Sequence, residues 1–186
     1  MPRYNEEKIS FNPLSLDDLP LLYKWLLYSH VSKWWYHGKQ TFSDIEKKYI
    51  PRIKGVAPTS CFLILYDGTP IGQIQMYKIN DYPLYKQVIQ IDENAAGLDL
   101  FIGEKDYMHK GLGSIIISKF LKEFVFAQLV VESCIMGPHP SNIPAIKAYE
   151  KAGFKYIKTI FNSDEREEEY LMRFPKNLCD NKLNIT

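Results

Sequence analysis

The run Met108-His109-Lys110-Gly111-Leu112-Gly113-Ser114 constrains this chain more than any other feature. It follows an apolar strand pattern, Gly97 to Ile102, and opens an amphipathic helical pattern from Gly111 to Phe126. A glycine turn between strand and helix leaves several backbone N–H groups without intrahelical partners. It aims them at one spot, at the positive end of a helix dipole, and such a spot suits a pyrophosphate. Two other phosphate loops fail on spacing. A P-loop needs Gly-Lys followed by Ser or Thr, whereas this chain reads Lys110-Gly111 with Ser114 three residues after the Gly. A dinucleotide fingerprint needs a third Gly three residues after the second, and position 116 is Ile.

A second motif lies downstream. Ser141-Asn142-Ile143-Pro144-Ala145-Ile146 runs into Tyr149-Glu150-Lys151-Ala152-Gly153-Phe154, which predicts a helix from Asn142 to Lys151 with a Gly at its C-terminal end. In this order the two motifs resemble the acetyl-CoA-binding signature of the GNAT N-acetyltransferases. The superfamily prefers Gln or Arg where this chain has Met108. Backbone amides do the binding, so that departure costs little.

The rest of the chain predicts elements that suit such a fold. Ser15-Leu16-Asp17-Asp18 reads as a helix N-terminus, with Leu19, Leu22, Tyr23 and Leu26 at helical spacing. A second helix is expected from Thr41 or Ser43, stopping before Pro51. Cys61–Tyr66 and Pro70–Tyr77 flank Asp67-Gly68, a hairpin signal. Lys78 to Asn94 reads as a long loop or irregular strand, Leu129 to Met136 as a buried strand, and Phe154–Phe161 with Glu168–Phe174 as a closing hairpin. The Glu165–Glu169 charge run reads as a solvated turn, and residues 175–186 as a frayed tail. The expected class is α/β. The GNAT resemblance implies a central mixed sheet, flanked by helices and splayed between two parallel strands, Gly97–Ile102 and Leu129–Met136. The 186 residues are expected to form a single domain, 1–186.

Composition narrows the partners. The net charge is +1 and no Lys/Arg stripe stands out, which argues against nucleic acid. No apolar run suits a membrane span or a signal-peptide core, so a cytoplasmic protein is expected. Cys61, Cys134 and Cys179 form no pair, and His30, His37, His109 and His139 lack zinc spacing, so no metal is expected. A monomer or homodimer fits equally well.

Within the superfamily the chain looks most like the aminoglycoside 6'-N-acetyltransferases. The shared blocks include Tyr23-Lys24-Trp25-Leu26, Trp34-Trp35, Tyr49-Ile50-Pro51, Pro70-Ile71-Gly72 with Gln75 and Tyr77, and Gly97 through Glu104. That resemblance implies acetyl-CoA as co-substrate and a polycationic amine as acceptor. It implies Asp99 as the carboxylate that takes the amine's proton and Tyr149 as the acid that protonates the departing thiolate. Phe101 and Ile102, Met108 through Ser114, and Asn142 would hold acetyl-CoA. Trp34, Trp35, Tyr49, Gln75, Asp81, Asp92, Glu93 and Asp99 would line the acceptor site, because a polycation calls for carboxylates and aromatic faces. Structural readings stand beside these: a solvated strand edge for Asp99, core packing for the Trp pair and Tyr149, a helix cap for Asn142, and a solvated turn for Asp92 and Glu93. The subgroup often carries an acidic residue just before the Pro of the second motif, where this chain has Gly137. That departure bears on the choice of amine. Acetylation of another amine, such as a siderophore lysine, a polyamine or a protein N-terminus, is the alternative, and a silent CoA-binding module is a third.

Overall fold

The computed structural model describes residues 4–163 and 166–181. Its helices are α1 (Leu19–Leu27), α2 (Ser29–Ser32), α3 (Phe42–Ile53), α4 (Pro83–Ile89), α5 (Leu112–Phe120), α6 (Phe126–Gln128), α7 (Ile143–Ala152) and α8 (Asn177–Asn181). Its strands are β1 (Ile9–Pro13), β2 (Thr59–Tyr66), β3 (Thr69–Lys78), β4 (Ala95–Ile102), β5 (Ser133–Met136), β6 (Lys155–Asn162) and β7 (Glu167–Pro175). They form one seven-stranded sheet in the order β1-β2-β3-β4-β5-β7-β6. The sheet is antiparallel except for one parallel pair, β4 with β5. That ladder covers only Ala95–Gly97 against Ser133–Ile135, three residues of the eight in β4.

The chain divides into two compact units, residues 4–76 with 99–112 and residues 77–98 with 113–181. In the first, α1 and α3 cover one face of β2 and bury Leu22, Trp25, Leu26, Ile45 and Tyr49 completely or nearly so. A fully buried Leu or Ile contributes roughly 1.5–3 kcal/mol, so this set anchors the helical layer. In the second, Ile79, Ile89, Ile91, Ile135 and Leu171 form one buried cluster, with Tyr77 and Tyr85 packed against it.

Several elements differ from the sequence expectation. Helix α3 runs past Pro51 to Ile53. Proline removes one backbone donor, but the stop comes at Gly55 (φ 69), where Val56 N–H bonds the Pro51 carbonyl (2.8 Å) and closes the last turn. The stretch expected to be loop contains α4. Pro83 opens it, Gln90 ends it in the left-handed region, and buried Ile79, Ile89 and Ile91 fix it to the core. Strand β5 begins at Ser133, not Leu129; Leu129–Glu132 is irregular and Val130 is exposed. The helical pattern after Gly111 is interrupted by a π-helical segment, Leu121–Val125. Within the charge run, Glu167–Glu169 lie in β7, and Glu169 is hydrogen-bonded; Glu165 lies outside the described residues. Asn177–Asn181 is a short helix, and 182–186 lie outside the described residues.

Candidate active site

The loop after β4 has the backbone expected of an anion site. His109 (φ 56) and Gly111 (φ 81) both take left-handed conformations, so the chain turns sharply into α5. His109, Lys110 and Gly111 are exposed, while Leu112 and Ser114 are buried and fix the first turn of the helix. Met108 is half-buried, and Gly113 packs 3.6 Å from Ala148 through the position a Cβ would take. The Lys110 ammonium donates to the Asp106 carbonyl (2.6 Å), which ties the side chain back along the loop. Exposed N–H groups at the start of a nine-residue helix fit an anionic diphosphate.

The first unit gathers several of the expected side chains around Asp99. The Gln75 amide, almost fully buried, donates to Asp99 Oδ2 (2.9 Å). The Arg52 guanidinium donates to Gln75 Oε1 (2.9 Å), and Gln73 and the Cys61 thiol approach the same oxygen at 3.4 and 3.8 Å. Arg52 also lies over the Tyr49 ring, 5.3 Å from its centroid. Trp35 packs edge-on against Phe101 (5.2 Å), one strand position pair from Asp99, and Phe101 meets Trp25 at 6.3 Å. Trp34 instead carries Lys33 over its ring at 4.5 Å. Burial pushes the Tyr49 phenol well above its ordinary value, with Tyr36 adding to the effect. Burial also pushes the Cys61 thiol up; Arg52 opposes this and the Asp99 charge adds to it.

The segment just past β4 is anchored by two side chains. Trp25 Nε1 donates to Glu104 Oε1 (2.8 Å), and His30 Nε2 lies 3.0 Å from the Gly103 carbonyl oxygen. Sequence reasoning assigned no site role to Arg52, Gln73, Cys61, His30 or Glu104. Nothing local marks them; helix α3 and the loop after β4 must fold first.

The second unit holds Asn142 and Tyr149. Asn142 Oδ1 accepts from Ala145 N–H (3.3 Å), so it caps α7 while its amide donors remain available in kind. Tyr149, 9% exposed, packs against Phe154 (6.3 Å), and Gly153 closes the helix in the left-handed region. Asp81 and Asp92 are exposed; Asp92 borders a shallow hollow with Asn80, Lys86 and Gln90. Glu93 is engaged by Ser133 Oγ (3.0 Å) and by Arg173 (3.2 Å).

A strand-to-helix glycine turn followed by a second capped helix, on a sheet with one short parallel pair, fits a transferase that uses an acyl-CoA. The family model described as the acetyltransferase (GNAT) domain matches residues 15–161, and the chain belongs to that family. It is an acyltransferase. An aminoglycoside N(6')-acetyltransferase type 1 of Klebsiella pneumoniae is 28% identical over 162 residues, 86% of this chain and 80% of the relative. A kanamycin resistance protein of Rhizobium radiobacter is 33% identical over 75 residues, 40% of this chain and 68% of the relative. An aminoglycoside acetyltransferase solved with coenzyme A and kanamycin is 25% identical, with a TM-score of 0.77 over 95% of this chain and 99% of that one. The same fold recurs in an aminoglycoside N(6')-acetyltransferase of Legionella pneumophila, at 20% identity and a TM-score of 0.74 over 98% of each chain.

Proposed function

We propose that this chain transfers the acetyl group of acetyl-CoA to the 6'-amine of an aminoglycoside, by direct attack while both are bound. One observation carries the reading: Asp99, half-buried on the strand that leads into the glycine loop, is held by the Gln75 amide with Trp35 and Phe101 alongside. The match to aminoglycoside 6'-acetyltransferases across most of the chain supports the choice of acceptor.

Alkylammonium groups are mostly charged near neutral pH, so the amine must lose a proton before it attacks. Asp99 is the proton acceptor, and Gln75 fixes which carboxylate oxygen faces the amine. Acetyl-CoA, when bound, supplies the activated carbonyl and the leaving thiolate. Residues Met108–Ser114 hold its diphosphate with backbone N–H groups, and Asn142 offers its amide to the pantetheine arm. Tyr149 is the proton donor at the thiolate. The donor to the carbonyl oxygen comes from β4. Gly103 N–H bonds the Ile71 carbonyl (2.8 Å), and a Cβ on Gly72 would overlap the Phe101 carbonyl oxygen. Alternation along an extended strand then aims the Phe101 N–H at β3 as well, and the Ile102 N–H the other way. Ile102 is the better donor of the two.

On this reading the two units act as one catalytic domain, 1–186, in the cytoplasm; no described helix is long and apolar enough to cross a membrane. Acetylation of a different amine, such as a siderophore lysine, a polyamine or a protein N-terminus, is the second reading, favoured by Gly137 where the subgroup often has an acid. A thiol-release assay with acetyl-CoA and a panel of amines separates the two. Turnover with kanamycin or tobramycin supports the first, and turnover confined to a polyamine supports the second.

A further inference from the structure

We propose that His30 is a positioning residue of the transfer step: it locks Gly103, and through Gly103 the Ile102 N–H that donates to the acetyl carbonyl oxygen. This rests on the function proposed above. Glycine is the most permissive residue on which a strand can end. Here its freedom is removed by contacts that all lie within the first unit. Gly103 N–H and Glu104 N–H both bond the Ile71 carbonyl (2.8 and 3.1 Å). The His30 ring, on α2, meets the Gly103 carbonyl oxygen through Nε2 at 3.0 Å. Trp25 Nε1, on α1, donates to Glu104 Oε1 (2.8 Å). A Cβ on Gly103 would overlap the Trp25 ring, so the indole fills the place of a side chain.

The peptide that carries the Ile102 N–H lies between two fixed points. Upstream, the Phe101 carbonyl oxygen sits where a Cβ on Gly72 would be; downstream, Gly103 is held on both its N–H and its carbonyl. A donor aimed at developing charge is effective in so far as it need not reorient when the charge appears. The His30 ring is committed to this bond. A carbonyl oxygen only accepts, so Nε2 carries a proton. Nδ1, at the other side of the ring, is buried with no hydrogen-bond partner among the described residues. A buried ring nitrogen without a partner costs stability, and the bond to Gly103 is what this ring supplies in return.

The test compares two replacements that keep different halves of the histidine. His30→Phe keeps a ring beside Tyr28, now 5.8 Å away, and loses the donor; His30→Gln keeps an N–H donor and loses the ring. Steady-state thiol release with acetyl-CoA and kanamycin is measured on the full chain, with thermal melting as the folding check. His30→Phe should lower kcat about fivefold, the contribution of one hydrogen bond, with the KM for acetyl-CoA unchanged. His30→Gln should retain most of the rate. Gly103→Ala, which drives a methyl group into the Trp25 ring, should lower kcat in the same way without touching His30. Equal kcat in the parent and His30→Phe overturns the assignment alone. So does a larger loss in His30→Gln than in His30→Phe, the order that ring packing would give. If His30→Phe does not fold, Gly103→Ala decides: a lowered kcat at constant KM supports the inference and an unchanged kcat overturns it. A parent chain that releases no thiol with kanamycin overturns this inference together with the function on which it rests.

Discussion

Arg52 has no place in the chemistry, yet its removal should slow it. Its guanidinium is one of three groups near Gln75 Oε1, and at 2.9 Å it is the nearest; Gln73 Nε2 at 3.4 Å and Cys61 Sγ at 3.8 Å are weaker donors. Without it the Gln75 carbonyl loses its nearest donor, and the amide is held less firmly in the orientation that donates to Asp99 Oδ2. A hydrogen bond with a charged partner contributes about 1.5–3 kcal/mol. If that energy sets the amide's orientation, its loss corresponds to roughly ten- to a hundredfold in rate at about 1.36 kcal/mol per tenfold. Arg52→Leu should therefore lower kcat by about that factor in a steady-state thiol-release assay with kanamycin. The KM for acetyl-CoA should not move, and Arg52→Lys should restore part of the rate by offering a single donor. The same kcat in Arg52→Leu, or a fall that Lys leaves untouched with KM rising in step, would refute the positioning role.

Three further outcomes follow from the same geometry. Asp99→Asn should fold but lose about 10²–10⁴-fold in turnover, since an amide cannot take the ammonium proton; near-full activity at neutral pH would remove Asp99 as the base. Tyr149→Phe keeps the ring against Phe154 and should lower kcat by about tenfold without changing the KM for acetyl-CoA, because a thiol of pKa near roughly 8.5 leaves partly unassisted; an altered KM with kcat intact would make Tyr149 a binding residue. Cys61, whose thiol burial raises, should be alkylated by iodoacetamide more slowly than half-buried Cys179 at mildly alkaline pH, as read by peptide mass spectrometry. The raised value also means that this thiol's contribution to stability is intact below the ordinary thiol range and is lost as pH rises through the folded value. Equal labelling of the two cysteines would contradict the burial argument.

The parts of this protein that short-range chemistry determines could be read in the sequence. Gly111 ahead of an apolar helix, Asn142 as a cap, Gly153 as a stop and Asp67-Gly68 as a tight turn all depend on a few adjacent residues, and each appears where expected. What tertiary contact decides was not legible. Helix α4 has a Tyr-rich, weakly periodic sequence, and it forms because Ile79, Ile89 and Ile91 reach the core. Pro51 is a breaker by composition, but a hydrogen bond five residues on sets the end of α3. The same limit applies to the site. Asp99 and the loop lie close in sequence, whereas the link from Arg52 to Gln75 joins positions 23 residues apart. No spacing rule connects such a pair.

The central claim is that this fold acetylates one defined nitrogen. The direct measurement is product structure. Kanamycin is incubated with acetyl-CoA and the protein, and the product is examined by NMR. A single acetyl group on the 6'-nitrogen, formed in step with one free CoA thiol, is the predicted result. Acetylation at another nitrogen, or no product with any 6'-amino drug while a polyamine turns over, would contradict it.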